Sequence, residues 1–197
     1  MALPAQSGKV KISYEQFLEQ LDEDTLAEWV EGEVVYLSPA GLEHQDIAGF
    51  LGAVLRAHVE RRNLGRVISA PFQMRLLRTE RGREPDLMFV SRENLHRLRD
   101  TYLEGGADLV VEITSPESLQ RDREEKFAEY EREGIREYWV ISPDEKRVDF
   151  FVLDEDGRYK RRPEDAGGIY HSAVLKGFRL PVRWLWERPP LREIPSM

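Results

Sequence analysis

The sequence predicts one α/β or α+β domain with a substantial hydrophobic core. Its 197 residues, 41% of them hydrophobic, are enough for an ordinary domain to bury such a core. Segments whose apolar residues recur at helical spacing alternate along the chain with short segments typical of strands. No repeat, low-complexity segment or linker divides them, so we expect a single domain over residues 1–197.

The first predicted elements are a short helix and an extended stretch. Ser13-x-x-Gln16 matches a capping box, so a helix should begin there and continue to about Leu21. A strand-like stretch follows from about Glu28 to Leu37, and Ser38-Pro39 ends it. The longest helix is expected from Glu43 to about Asn63, ended by Gly65. Its apolar stripe consists of Ile47, Leu51, Val54, Leu55 and Val59.

The rest of the chain reads mainly as strands. Apolar and polar residues alternate over Val67–Leu77, as is typical of a strand. This strand should form a hairpin with the strand Pro85–Ser91, and the charged segment Thr79–Arg83 should be the turn between them. A second hairpin is expected from Tyr138–Ser142 and Arg147–Leu153. The remaining expected elements are a short helix within Ser91–Asp100, a buried strand at Ala107–Ser115, a helix at about Leu119–Glu133 closed by Gly134, and short strands around Tyr159 and Val174–Leu180.

Charge and composition limit the function classes. A net charge of −8 argues against broad non-specific nucleic-acid binding, which needs a positive surface, but leaves a local basic cleft open. With no cysteine and no HExxH or HxH spacing among four histidines, a zinc site is poorly supported, so any metal would be bound by oxygen, Mg²⁺ or Mn²⁺ first. We interpret the clustered arginines as solvated: Arg75, Arg78, Arg81, Arg83, Arg121 and Arg123.

The sequence also bears on location. No apolar run approaches the ~20 residues needed to cross a bilayer. The first residues, Met1–Lys11, lack the apolar stretch of a signal peptide. We therefore expect a cytoplasmic protein.

Two acids stand in apolar strands. Asp86 follows Pro85 at the start of a strand, and Glu112 interrupts the otherwise apolar run 109–113. An unpaired buried carboxylate costs several kcal/mol or takes up a proton, so two of them call for a cation or a metal. Asp86 alone has an equally good explanation as a cap of the preceding turn. Glu112 is harder to explain in structural terms, because a carboxylate inside such an apolar run is seldom there for packing.

A lysine on the following helix is placed to meet these acids. Side chains alternate along a strand, so Val110, Glu112 and Thr114 share one face. At 3.6 residues per turn, Lys126 lies in the apolar stripe that packs on the sheet. The other stripe residues are Leu119, Phe127 and Tyr130. In a chain rich in arginine this lysine is notable, because a desolvated ammonium can lose its proton. It could equally be only a counter-ion for Glu112, or reach solvent.

At these residues the chain resembles the Uma2 family of the PD-(D/E)XK nuclease-like superfamily. The matching motifs are Pro85-Asp86, Glu112-x-Thr114, Lys126-x-x-x-Tyr130, Glu137-Tyr138-Trp139-Val140, Glu28-Trp-Val-Glu-Gly32-Glu33 and His44. The resemblance covers about residues 13–182, which we take as the core, and leaves a tail at about 183–197 that is irregular and contains prolines. It implies a restriction-endonuclease-like α/β core, with a mixed sheet of about five central strands flanked by helices.

The resemblance also implies a site. Asp86 and Glu112, with the backbone carbonyl of Ile113, would bind Mg²⁺, for which Mn²⁺ could substitute. The superfamily places its lysine two residues after the second acid, where this chain has Thr114, and Lys126 could replace it from the helix. The possible accessory residues are Glu28, His44, Thr114 and Tyr130. Glu28 would be an extra acid or pair with a surface arginine, and His44 would be a cap or surface residue, or contact a phosphate or metal-bound water.

The expected function is Mg²⁺-dependent hydrolysis of DNA phosphodiester bonds by an endonuclease, with Asp86, Glu112 and Lys126 as catalytic residues. One alternative is a catalytically silent nuclease fold kept for binding or assembly, which Thr114 and the acidic charge favour. Another is a hydrolase of small phosphate esters. A homodimer is expected, and Trp184 and Trp186 would either cover a subunit interface or pack on the chain's own core.

Overall fold

The computed structural model describes residues 11–21 and 25–194. Two sequence-based expectations, the absence of a signal peptide in residues 1–10 and the contribution of Pro195 to the tail, lie outside these residues. None of the described helices combines the length and the hydrophobicity needed to cross a membrane.

Helices and strands alternate along the described chain. The helices are α1 (Tyr14–Gln20), α2 (Leu42–Arg62), α3 (Lys126–Glu133) and α4 (Trp184–Glu187). The strands of the first half are β1 (Ala27–Val30), β2 (Glu33–Tyr36), β3 (Gly65–Ser69), β4 (Gln73–Leu76), β5 (Arg81–Arg83), β6 (Leu87–Ser91) and β7 (Tyr102–Glu104). Those of the second half are β8 (Leu109–Ile113), β9 (Glu137–Ser142), β10 (Arg147–Leu153), β11 (Tyr159–Arg161), β12 (Ile169–His171) and β13 (Arg179–Pro181).

The central sheet is mixed. In the described residues it has six strands in the order β11-β10-β9-β8-β6-β3. β8 and β9 are parallel, joined by a crossover through α3, and the other neighbours are antiparallel. The expected α/β core with a mixed sheet is confirmed, and so is the hairpin of β9 with β10.

The two faces of the central sheet pack against different layers. On one face, apolar residues of α2 such as Leu51 and Leu55 pack against Val111 and Trp139. On the other face, Val110 packs with residues of α3 and of the second sheet. The predicted alternation along β8 is therefore confirmed, and the face that carries Val110 also carries Glu112.

The second sheet contains β2-β1-β5-β4-β7 among the described residues, and α1 packs on it through Tyr14 and Phe17. α1 has the predicted capping box between Ser13 and Gln16. The stretch predicted as one strand from Glu28 to Leu37 is a hairpin instead, because Glu31 and Gly32 both take positive φ and reverse the chain. This hairpin places Glu28 on β1 within reach of the central sheet.

The predicted strand Val67–Leu77 is wrong as a single element. It divides at Ala70–Pro71 into β3, at the edge of the central sheet, and β4, in the second sheet. Proline has no N–H to continue the ladder. The predicted turn at Thr79–Arg83 is also wrong over its last residues, since Arg81–Arg83 forms β5 between β1 and β4.

Two smaller expectations are also corrected. Asn63, not Gly65, ends α2 in the left-handed conformation, and Gly65 begins β3. The tail beyond residue 183 is not irregular throughout, because it forms α4 and a 3-10 turn at Leu191–Glu193. Trp186 is partly buried against the core that contains α2, which is one of its two expected placements. The expected homodimer stays a prediction.

Candidate active site

Asp86 and Glu112 stand opposite each other on neighbouring strands. β6 and β8 are antiparallel with Leu87 paired to Val111, so the residue before Leu87 faces the residue after Val111. The backbone N–H of Ile113 donates to Oδ2 of Asp86 at 2.6 Å. This hydrogen bond fixes the Asp86 carboxylate beside the end of β8.

Lys126, at the start of α3, lies within ion-pair distance of three carboxylates. Its Nζ lies 2.9 Å from Oε1 of Glu112 and 3.0 Å from Oε1 of Glu28. Oδ1 of Asp122, one turn earlier on the same helix, is 3.4 Å away. The lysine is only 3% exposed. It is therefore a buried cation shared by three carboxylates from β1, β8 and the helical segment, and it does not reach solvent.

The helix that carries Lys126 has an irregular first part. Helical backbone begins at Leu119 and ends before Gly134, as the sequence predicts. Between them, Arg121–Glu125 forms a wider π-helical turn, in which the N–H of Lys126 donates to the carbonyl of Arg121. Such turns are frequent at functional sites.

Tyr130 and Thr114 occupy different surroundings. The Tyr130 hydroxyl donates to Oε1 of Glu112 at 2.7 Å, so this oxygen has both a phenol and an ammonium as partners. The Thr114 hydroxyl instead donates to Ser142 on the neighbouring strand β9, at 3.1 Å. The residue at the position of the superfamily lysine thus bonds to the adjacent strand, and Lys126 supplies the cation next to Glu112.

Glu28 is fully buried and has two cationic partners. Besides Lys126 it binds Arg83, whose guanidinium donates to Oε2 of Glu28 at 2.7 Å. Arg83 also donates twice to Glu129 on α3, at 2.8 and 2.7 Å. Glu28 does pair with an arginine, but the interpretation of Arg83 as solvated is wrong, because β5 buries it between the second sheet and α3.

His44 contacts Asp86 directly. It lies in the first turn of α2, and its Nε2 is 3.1 Å from Oδ1 of Asp86. Burial alone would lower the pKa of the imidazole, but hydrogen bonds to Asp86 and to the carbonyl of Ile113 outweigh it and raise the pKa. The Nε2 atom of the ring therefore faces the Asp86 carboxylate.

The carboxylates of the site differ in the direction of their pKa shifts. Burial raises the pKa of Glu112 to about 8, although Lys126 opposes the change. Burial also acts on Glu28, but Lys126 and Arg83 outweigh it and lower the pKa of this residue to about 2. The pKa of Lys126 is raised, because Glu112 and Glu28 outweigh its desolvation. The sequence-based idea that this lysine loses its proton is therefore not supported, and the two glutamates that flank it are shifted in opposite directions.

An open cavity gives access to this cluster. Its volume is about 670 Å³. The side chains of Asp86, Glu112 and Lys126 all line it, together with other residues that include His44, Glu84, Ile113, Thr114, Glu117, Arg121 and Asp122. At 19% and 18% exposure, the side chains of Asp86 and His44 are the more accessible members, whereas Glu112 is 4% exposed.

Sequence reasoning missed Asp122 and Glu84. Asp122 precedes Lys126 by four residues, and this spacing places both side chains on one face of a helix. The spacing therefore predicts an ion pair between them. Glu84 is buried next to the Pro85-Asp86 motif and accepts a hydrogen bond from Gln73 at 2.6 Å. Burial raises its pKa to about 7. No local pattern predicts its burial, because the second sheet supplies the surrounding residues.

The donors at this site suit a hard divalent ion. Among the described residues, no three Asp, Glu or His side chains are arranged as a ready-made metal centre. Two carboxylates and one carbonyl nevertheless border the cavity at Asp86, Glu112 and Ile113. Mg²⁺ commonly takes only one or two protein carboxylates and keeps several waters, so this partial oxygen set fits it.

Comparison with known proteins gives a consistent result. The chain is similar in structure to a crystal structure described as a "putative nuclease belonging to DUF820" from Anabaena variabilis, with a TM-score of 0.75 and 16% sequence identity. The alignment covers 89% of this chain and 98% of that one, and at this identity it supports the fold. None of the curated proteins is significantly similar in sequence. The model of the Uma2 family, described as "Putative restriction endonuclease", matches residues 14–183, and the chain therefore belongs to the Uma2 family.

Proposed function

We propose that this protein is a metal-dependent endonuclease that hydrolyses phosphodiester bonds of DNA. One observation carries the proposal. Asp86 and Glu112 face each other across two strands at an open cavity, with the Lys126 ammonium 2.9 Å from Glu112. The nuclease descriptions of its family and of its structural neighbour support the same reaction class.

In this proposal Asp86, Glu112 and the Ile113 carbonyl hold Mg²⁺, or Mn²⁺ in its place. When bound, such an ion polarises the phosphate and lowers the pKa of a water. The protein's own groups hold the donors in position. The Ile113 N–H orients one Asp86 oxygen, and Tyr130 and Lys126 orient one Glu112 oxygen.

Lys126 contributes charge in this proposal. Its raised pKa keeps the ammonium protonated, so it stabilises developing negative charge and does not accept a proton. His44 presents an N–H at the Asp86 carboxylate, on the more exposed side of the cluster. It is the group best placed to contact a phosphate or a metal-bound water, while Glu28 holds Lys126 in position.

The catalytically silent alternative rests on a specific observation as well. Lys126 is surrounded by Glu28, Glu112 and Asp122, and Tyr130 completes the partners of Glu112. A closed network of this kind stabilises a fold without a metal. In that case the cavity would serve for binding or assembly, and Mg²⁺ would bind no more tightly than at other surface acids.

Nicking of supercoiled DNA tests the proposal. Purified full-length protein should nick plasmid in Mg²⁺ or Mn²⁺, and Asp86→Asn and Glu112→Gln should each lower the rate by about 100-fold or more, because each removes a charged metal donor. Glu117→Gln is the matched control, since Glu117 is an exposed carboxylate at the same cavity. Equal rates for the wild type and both site variants would contradict the assignment.

A metal titration separates the alternatives. Calorimetry with Mn²⁺ should show one site that Asp86→Asn weakens and Glu117→Gln does not. Metal binding without nicking, under conditions where the fold is intact, would favour the silent module. Turnover of nucleotides without any cutting of polynucleotide would favour a small phosphate-ester hydrolase. Sedimentation of the same sample tests the expected homodimer.

A further inference from the structure

We infer that Arg121 binds a backbone phosphate of the nucleic acid inside the catalytic cavity. The inference rests on the proposed function and deepens it, since it assigns the contact that holds the substrate. Arg121 lines the same cavity as Asp86 and Glu112. Neither the motifs that carry the family resemblance nor the ion cluster around Lys126 includes it.

The guanidinium of Arg121 stands outside the ion pairs of the described residues. Its Nε atom is buried without a hydrogen-bond partner. Within residues 11–21 and 25–194, Arg121 makes no direct hydrogen bond or ion pair, although its charge helps to lower the pKa of Glu28. A guanidinium that is half-buried without partners carries a desolvation cost that a bound anion would offset.

The described wall of the cavity carries few cations. Carboxylates outnumber cations along its described wall. Lys126 is almost fully buried, and its charge is already shared by three carboxylates. His44 faces Asp86. A phosphodiester entering the cavity therefore finds Arg121 as the one lining cation, among the described residues, that no carboxylate contacts directly.

The local backbone separates Arg121 from the ion cluster. In the π-helical turn Arg121–Glu125, Asp122 points to Lys126, and Tyr138 donates its hydroxyl proton to the Asp122 carbonyl. The neighbouring Arg121 faces the open cavity instead. Arg123, two residues on, leaves the cavity and binds Ser142 and Glu145. One turn thus carries one arginine with acidic partners and one without.

The chemistry of the group indicates its ligand. A guanidinium stays charged at any physiological pH and presents a planar fork of donors that matches phosphate oxygens. A net charge of −8 leaves little general attraction for nucleic acid, so a local contact of this kind would make up a measurable part of DNA affinity. The competing explanation is that Arg121 acts only as a distant counter-ion for Glu28, which would affect stability and not binding.

DNA binding under non-cleaving conditions tests the inference. Fluorescence anisotropy of a short labelled duplex is measured with the full-length protein in Ca²⁺, at salt from about 0.05 to 0.2 M. Arg121→Gln should weaken binding about tenfold and reduce the slope of log affinity against log salt by about one, the value for one lost phosphate contact. Arg121→Lys keeps the charge and should keep the slope. Arg123→Gln is the matched control and should change neither quantity.

Two results would overturn the inference. The first is an Arg121→Gln protein that binds DNA with wild-type affinity and slope, whatever its thermal stability. The second is a wild-type protein that shows no binding to the duplex. Nicking in Mg²⁺ is measured in parallel, so that failure of the phosphate contact can be distinguished from failure of the proposed endonuclease activity. Nicking with no effect of Arg121→Gln on binding refutes only the phosphate contact, whereas binding that depends on Arg121 without nicking refutes only the catalytic proposal.

Discussion

Replacing Lys126 by methionine tests how the buried charges are balanced. Methionine keeps most of the length and apolar surface of the side chain and removes the ammonium. The substitution leaves Glu28, Glu112 and Asp122 without the cation that lies 2.9 to 3.4 Å from them. Arg83 then remains as the only direct cationic partner of Glu28 among the described residues.

The expected loss of stability follows from the burial of these groups. At an effective dielectric constant of about 20, one ion pair at this distance contributes roughly 5 kcal/mol before desolvation is subtracted. Removing one partner of a buried pair typically costs about 3–5 kcal/mol. Uptake of protons by the freed carboxylates limits the cost, and the burial that raises the pKa of Glu112 to about 8 favours such uptake once Lys126 is gone. We expect a loss of about 4 kcal/mol at pH 7, or roughly 10 °C in Tm for a chain of this size.

The pH dependence of this loss has a definite sign. The pKa of Glu28 is lowered to about 2 in the wild type, so its stabilisation is present above its unfolded pKa of about 4.3 and is lost as pH falls toward 2. Without Lys126 the pKa of Glu28 rises. The difference between wild type and Lys126→Met should therefore be largest near neutral pH and decrease below about pH 4.5.

Urea unfolding followed by circular dichroism at pH 7 and at about pH 4 measures both effects. Lys160→Met is the matched control, because Lys160 is 71% exposed and its ion pair with Asp154 spans 3.7 Å. The control should change stability by less than about 0.5 kcal/mol. A Lys126→Met protein within about 1 kcal/mol of wild type at pH 7 would refute the view that this ammonium compensates the buried acids.

Two further predictions concern the scaffold. Gly65→Ala should destabilise the fold by about 3 kcal/mol, because φ is +153° and the added Cβ would lie 2.1 Å from the backbone oxygen of Val90. Gly49→Ala should instead stabilise the fold by about 0.5–1 kcal/mol, because Gly49 lies in α2 and a Cβ added there has nothing within 4 Å. Equal melting temperatures for the two variants would contradict this prediction. Burial would raise the pKa of Asp108, but hydrogen bonds from Ser91, Asn94 and Arg136 outweigh it and lower this pKa. The ionised Asp108 therefore stabilises the folded protein above the unfolded pKa of about 3.9, and this contribution is lost under more acidic conditions. Asp108→Asn should therefore cost about 2 kcal/mol at pH 7 and much less near pH 3, and urea unfolding that shows the same loss at both values would refute it.

Local sequence patterns are sufficient to predict the elements whose apolar residues recur at one constant helical or strand spacing. The apolar stripe of α2 and the buried run of β8 were predicted because their burial follows directly from helical or strand spacing. The split of Val67–Leu77 was not predicted, since alternation continues across Ala70–Pro71 and only the separation of two sheets distinguishes β3 from β4. The three residues of β5, Arg-Gly-Arg, favour a turn by themselves, and they form a strand only because they pair with β1 and β4.

For the candidate site, the sequence could predict directions but not partners. Strand alternation and helical spacing together place Glu112 and Lys126 toward each other, and the structure brings them together. The sequence offers no means of pairing Lys126 with Glu28, because these residues are far apart in the chain and meet through packing of the second sheet on α3. The burial of Arg83 has the same origin. Composition favours a solvated arginine, whereas tertiary contacts supply two carboxylates.

The position of the lysine on the helix has a consequence for how the site can be altered. A lysine at position 114 would extend from β8 alone, whereas Lys126 connects α3 to acids on β1 and β8 and so ties the two sheets together. Its removal is therefore expected to reduce stability as well as any catalysis, and loss of nicking in Lys126→Met alone would not establish a chemical role. In the part of the chain that the structure describes, no hydrogen bond or ion pair links Arg121 to the rest of the fold. We expect Arg121→Gln to lower DNA affinity in a protein that melts near the wild-type temperature, and Lys126→Met to lower the melting temperature itself. The two cations of one cavity can thus be separated by experiment, one balancing the buried charge of the protein and the other that of the substrate.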